Sequence, residues 1–233
     1  MTPRATETAR TPVDYAVAQE RQRALVERRR AGEIPDTLWL LEHPPTITWG
    51  TSGGRGTHFL RAEEEVRARG IGLCASERGG GVTFHEPGQL VGYLIVDLRG
   101  PQDRDMHAYL RQVERGLIDL LGGFGVACAT VPGRTGVWVP GPPPRKVAAM
   151  GVRSKGWIAS HGFALNVENA LDGFGLIVPC GIRDAGVTSL AREVDAGALP
   201  PWEAVCAAAH GAMERALGRR LRWMMAAEGL AEG

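Results

Sequence analysis

R-K-V-A-A-M-G-V-R-S-K-G-W-I-A-S-H-G-F-A-L-N-V, residues 145–167, holds two apolar runs, 146–152 and 157–167, on either side of a polar turn at Ser154, Lys155 and Gly156. Runs of this length around a glycine-containing turn predict a β-hairpin. Outward from it, short apolar runs at 37–42, 46–49, 71–75, 82–84, 90–98, 126–131 and 136–139 also read as strands. Helices fall between groups of strands: 14–31 closed by Gly32, 61–69 closed by Gly70, 106–121 with Leu110, Val113, Leu117 and Leu120 on one face, and 202–217. Strands that follow one another, with helices between the groups, predict an α+β fold and not a strict β-α-β alternation. With no repeat and no long linker, the reading is one domain over 14–222, with loose tails at 1–13 and 223–233.

A chain of 233 residues can bury one substantial core. Its apolar content of 44% and charged content of 23% are those of a soluble globular protein. The longest apolar runs, such as Leu38-Trp39-Leu40-Leu41, are too short to span a bilayer, and the first residues hold no apolar signal core. A cytoplasmic protein is expected. A net charge of +1 supplies no overall field toward nucleic acid or membrane, and a monomer is the simplest expectation.

The basic residues are 25 Arg and two Lys, Lys146 and Lys155. Codon bias accounts for the excess of Arg, but a site that needs a titratable amine resists such replacement, because Arg does not deprotonate. Lys155 sits in a polar turn. Lys146 opens an apolar strand, where its stem is either drawn inward or left with its head in water.

The cysteines are Cys74, Cys128, Cys180 and Cys206. Their spacing contains no C-x-x-C pair, which argues against structural zinc, and neither a metal nor a disulfide is expected. Cys74 and Cys128 lie in strand-like runs and Cys206 among helical alanines, the setting of inert buried thiols. Cys180, between Pro179 and Gly181, is the outlier: a thiol on a glycine-flanked turn can be both exposed and fixed.

R-G-G-G-V-T-F-H-E-P-G-Q, residues 78–89, places three successive glycines between strands. It lacks the Gly-Lys-Ser/Thr ending of a phosphate loop and the G-x-G-x-x-G spacing of a dinucleotide fold. It is either a hairpin turn or a cradle where backbone approaches a ligand closely. His43, His85 and His161 are each either satisfied strand-end histidines or pocket walls.

Taken in order, several segments resemble the lipoyl(octanoyl) transferases of the biotin/lipoate protein ligase-like family. They are Leu38-Trp39-Leu40-Leu41-Glu42-His43-Pro44, Thr48-Trp49-Gly50, residues 78–89, residues 146–151, His161-Gly162-Phe163-Ala164-Leu165-Asn166-Val167, Pro179-Cys180-Gly181-Ile182 and Gly186-Val187-Thr188-Ser189-Leu190. The resemblance implies mixed and antiparallel sheets flanked by helices around an acyl pocket. It implies octanoyl transfer from acyl carrier protein to a lysine of lipoyl domains, those of 2-oxoacid dehydrogenase complexes and the glycine cleavage H protein. Cys180 would carry the acyl thioester, Lys146 would lower its pKa, and no cofactor would be needed. Arg78, Gly79, Gly80, Gly81, Val82, Thr83, Phe84 and His85 would line the substrate, with Ala149, Met150 and Gly151, and with Gly162, Phe163 and Ala164. Backbone N–H groups near Gly79, Gly80 and Gly81, or beside Cys180, are the expected oxyanion donors. Glu86 departs from the family's usual glycine: a positive φ there would cost it about 1 kcal/mol, and its side chain is expected to face solvent. The rival readings are an ATP-dependent ligase of the same fold, a non-catalytic acyl-binding domain and a thioester hydrolase. Pro179-Cys180-Gly181-Ile182 counts against the first.

Overall fold

The computed structural model describes residues 10–53, 58–178, 184–226 and 228. Its architecture is the α+β one expected, with a large mixed sheet, a small sheet and helices on both faces. Helix α1 (Tyr15–Ala31) starts where the Asp14 side chain accepts hydrogen bonds from the N–H groups of Ala16 and Val17, and it stops at Gly32, whose φ of 79° only glycine adopts without strain.

The large sheet is built on the hairpin of β8 (Arg145–Lys155) and β9 (Ile158–Asn166). On one side of it lie β7 (Arg134–Val139) and β6 (Ala129–Val131); on the other lie β5 (Gln89–Asp97), β1 (Thr37–Leu41) and β11 (Arg222–Met225). The two-residue strand β10 (Gly186–Val187) pairs with the first residues of β8, beyond the point where β9 ends. β1 is buried on both faces. Leu38 and Leu40 pack toward α3 (Met106–Gly123) and α5 (Trp202–Leu217), while Trp39 and Leu41 pack toward α1. That two-sided burial is why its sequence is a continuous apolar run and not an alternation. Each such leucine contributes about 1.5–3 kcal/mol by leaving water.

The small sheet, in the order β3 (Gly72–Ala75), β2 (Thr46–Trp49), β4 (Val82–His85), lies over the same face of the large sheet as α1. Strand alternation divides β4: Thr83 and His85 face the large sheet, while Val82 and Phe84 join a separate apolar cluster with Ile47, with Val66 of α2 (Glu63–Ala68), and with Phe174 of the 3-10 helix Asp172–Leu176.

Both expected tails contribute to the fold. Residues 223–225 belong to β11, which pairs in parallel with β1, so the sheet runs past residue 222. At the other end Val13 is buried and its N–H donates to the Glu42 carbonyl, while Arg10 pairs with the Glu42 carboxylate. Among the described residues no helix is long and apolar enough to cross a membrane.

Candidate active site

A cavity of about 430 Å³ lies between the two sheets. Its floor is the β8–β9 hairpin, where Ala149, Gly151, Gly162 and Ala164 leave room that larger residues would fill. Met150 and Phe163 also reach its wall, but both pack into the core formed with α3 and α5. Thr83, His85 and Arg78 close it from the small-sheet side, with Tyr15, Val91, Tyr93 and His161 completing the lining. Of the residues expected to line a substrate, Val82 and Phe84 therefore point away from it. Tyr15 and Tyr93 were not foreseen, because nothing in a helix start or a strand interior marks a wall of this kind.

The glycine turn achieves the close approach that its composition allows. The N–H of Gly79 donates to the Val152 carbonyl at 2.9 Å, and a Cβ on Gly151 would come within 2.9 Å of the Gly79 oxygen and 3.0 Å of Arg78 Cδ. Glycine at 79 and 151 thus lets the turn rest on the large sheet. Gly80 takes φ 88°, and the Gly80 and Gly81 carbonyls accept from Ser52 and Gly50. Because the Gly79 N–H is bonded to Val152, it is not an oxyanion donor, which corrects that part of the expectation.

Arg78 is buried and turned back on its own sheet, with Nη2 donating to the Thr48 carbonyl at 3.0 Å and to Thr48 Oγ1 at 2.9 Å. From there a polar chain runs through the site with its directions fixed. Gln89 Nε2 donates to the Phe84 carbonyl and to Asn166 Oδ1, so Gln89 Oε1 accepts from His85 Nδ1 at 2.8 Å, and His85 Nε2 is left to accept from Thr48 Oγ1. Asn166 Nδ2 donates to the Thr188 carbonyl at 2.9 Å. His43 is equally satisfied, between the Val13 carbonyl at 2.6 Å and the Tyr93 hydroxyl at 2.7 Å. Burial pushes the pKa of His43 down to about 4 and that of His85 well below its ordinary value, and raises both Tyr15 and Tyr93, so these groups are neutral at pH 7. His43 is thus a satisfied core histidine, and His85 is both satisfied and a wall of the cavity. His161 differs: its Nδ1 has no partner among the described residues.

Lys146 is drawn inward, with 9% of its surface exposed. Its Nζ lies 4.6 Å from the centroid of the Trp138 ring, a cation–π distance. Its stem crosses Gly136 (φ 119°), where a Cβ would stand 3.3 Å from Lys146 Cε. Lys146 lines a smaller cavity with Gln89, Asn166, Phe174 and Val187, and Thr83 and Ala149 are common to this cavity and the larger one.

Cys180 lies outside the described residues. The segments on either side of it are tied down. Val178 N–H donates to the His58 carbonyl, while Val187 pairs with Lys146 in β10 and Thr188 N–H donates to the Lys146 carbonyl at 2.9 Å. Glu193 of α4 (Leu190–Glu193) holds Arg145 at 2.9 Å and accepts from the Thr188 hydroxyl.

The described thiols are all shifted upward by burial, Cys128 to about 11 and Cys206 to about 12, with Cys74 raised as well. Cys206 is buried as expected, whereas Cys74 and Cys128 are half-buried. Glu86 does not face solvent: its carboxylate accepts from Asn169 Nδ2 at 3.0 Å and from the Leu171 N–H at 2.8 Å. Glu86 does not take a positive φ; in its own turn that conformation falls on Gly88 (88°), and Leu171, which Glu86 holds, takes φ 72°. The glutamate therefore carries no left-handed strain and instead holds the residue that does.

The model of the lipoyl protein ligase A/B catalytic domain matches residues 14–210. An octanoyltransferase of Rubrobacter xylanophilus is 52% identical over 181 residues, 77% of this chain and 79% of that protein. Octanoyltransferases of Chloroflexus aggregans and Acidobacterium capsulatum are 48% and 44% identical, covering 83% and 91% of this chain and 86% and 89% of their own. Among solved structures, a putative lipoate protein ligase from T. acidophilum with bound lipoic acid superposes with a TM-score of 0.71 at 14% identity. It covers 94% of this chain and 87% of its own, which speaks for the fold alone. The chain belongs to the lipoyl protein ligase A/B catalytic-domain family, where it stands with the octanoyltransferases.

Proposed function

We propose that this octanoyltransferase carries the octanoyl group as a thioester on Cys180, with Lys146 as the proton-transfer partner. The donor is octanoyl-acyl carrier protein. The acceptor is a lysine of the lipoyl domains of 2-oxoacid dehydrogenase complexes or of the glycine cleavage H protein. The observation that carries the reading is the setting of Lys146: a buried lysine on Trp138, lining a cavity that shares Thr83 and Ala149 with the apolar inter-sheet one, and paired with Val187 just after the Cys180 segment.

A free cysteine is only a few per cent thiolate at pH 7, and a nearby ammonium favours the anion. The Cys180 thiolate attacks the donor's thioester carbonyl. The carrier's thiolate leaves and takes a proton from the Lys146 ammonium. In the second half, the acceptor lysine amine attacks the Cys180 thioester, neutral Lys146 takes the amine's proton, and the Cys180 thiolate departs. A thioester and an amine become an amide and a thiol, so no nucleotide is consumed. The raised pKa values of Cys74, Cys128 and Cys206 support Cys180 by leaving the other thiols protonated.

Incubation with octanoyl-acyl carrier protein, followed by intact mass and peptide mapping, should reveal a hydroxylamine-sensitive octanoyl adduct on Cys180. An adduct on Cys74 instead, or no adduct at all, removes the assignment.

A further inference from the structure

Among the described residues, His161 is the one that lines both the inter-sheet cavity and a second cavity of about 500 Å³. The second cavity lies between α1 and the end of the β8–β9 hairpin, and is bounded by Gln22, Arg23, Glu77, Arg153 and Ser160. The order along both strands is the same. On β9, Asn166 stands at the Lys146 cavity, Ala164 and Gly162 floor the inter-sheet cavity, His161 ends it, and Ser160 lies beyond. On β8 the succession is Lys146, then Ala149 and Gly151, then Arg153.

His161 is held firmly. It pairs with Val152, its N–H donates to Gln22 Oε1 at 2.9 Å, and its ring meets Tyr93 edge-on with centroids 6.0 Å apart. Its backbone takes φ 58°, which is costly for a residue with a Cβ. His161 Nδ1 and Gln22 Nε2 are both buried without a partner among the described residues. Burial first, and then Arg78, keeps the imidazole neutral by lowering its pKa to about 3.

We infer that His161 is the end stop of the acyl chain, a specificity-determining residue that disfavours chains longer than the inter-sheet cavity holds. The inference rests on the proposed reading that the inter-sheet cavity holds the acyl group. A longer chain meets a ring fixed by its backbone and by Tyr93. Removal of that ring joins the two cavities into one channel, and glycine takes a positive φ without the Cβ penalty.

The test presents the full chain with equal amounts of octanoyl- and dodecanoyl-acyl carrier protein and reads the ratio of the two adducts on Cys180 by mass. In the wild type the dodecanoyl adduct should be lower by at least about tenfold, since even a one-methylene misfit in a tight pocket is worth about that factor. His161→Gly should raise the dodecanoyl-to-octanoyl ratio at least about tenfold. His161→Asn, shorter and tolerant of positive φ, should move it the same way and serves if the glycine variant does not fold. An unchanged ratio in a folded variant, or equal loading by the wild type, overturns the role of His161 while leaving Cys180 chemistry intact. A wild type that loads no octanoyl on Cys180 fails at the catalytic reading, and the end stop falls with it.

Discussion

Strand β8 carries both lysines of the chain, near its two ends, and their surroundings have little in common. Lys146 is buried on the Trp138 ring and faces a cavity. Lys155 is exposed at the hairpin turn, with its Nζ 3.2 Å from an equally exposed Glu27 carboxylate. The same residue type on one strand thus occupies two electrostatic media. A surface pair in water is worth little, whereas a charge held over an aromatic face out of water acts strongly on whatever group approaches it. Residue type in a sequence does not distinguish the two cases; position relative to the small sheet and β10 does.

The strongest way to break this contrast is Lys146→Arg. It keeps the charge and removes a proton that can be exchanged at working pH. Amide formation on a lipoyl-domain acceptor should fall by about 10²–10⁴-fold, measured as turnover with octanoyl-acyl carrier protein. Turnover near that of the wild type would take Lys146 out of proton transfer.

A smaller effect is expected at Gly136→Ala, which leaves Lys146 in place chemically but disturbs its bed. The added Cβ would stand 2.7 Å from the Ala148 carbonyl in a backbone at φ 119°. Stability in urea should drop by about 1–3 kcal/mol, and turnover should drop with it. A variant with unaltered urea midpoint and turnover would show that Lys146 does not depend on the glycine beneath it.

Least affected should be Lys155→Ala. Loss of an exposed pair should change stability by no more than about 0.5 kcal/mol, with turnover matching the wild type. A large loss of transfer there would erase the distinction between the two lysines.

The glycine turn and the three histidines show how far a sequence can be read. Three adjacent glycines left a choice between a plain turn and a cradle for a ligand, and the close approach they make is to the neighbouring sheet, at Val152 and Gly151. The partner in that approach was invisible, because it lies on another sheet. His43, His85 and His161 looked alike as strand-end histidines; hydrogen-bond partners from Val13, Tyr93, Thr48 and Gln89 satisfy the first two, while the third has an Nδ1 without a partner among the described residues. Glu86 looked like an outward charge, and its actual bonds are to Asn169 and Leu171, which a long connection brings back to it. Strand β11 is four residues with no strong pattern, and only pairing with β1 makes it a strand.

By itself the sequence determined the α+β class, the hairpin, the principal helices and the family, since these depend on local periodicity, turn residues and motifs that each occupy a few neighbouring positions. Tertiary structure alone decided that Lys146 is buried, that Thr83 and His85 face the cavity while Val82 and Phe84 do not, and that His161 lines two cavities. Burial and facing are set by which distant segments cover a residue, and no local pattern carries that information.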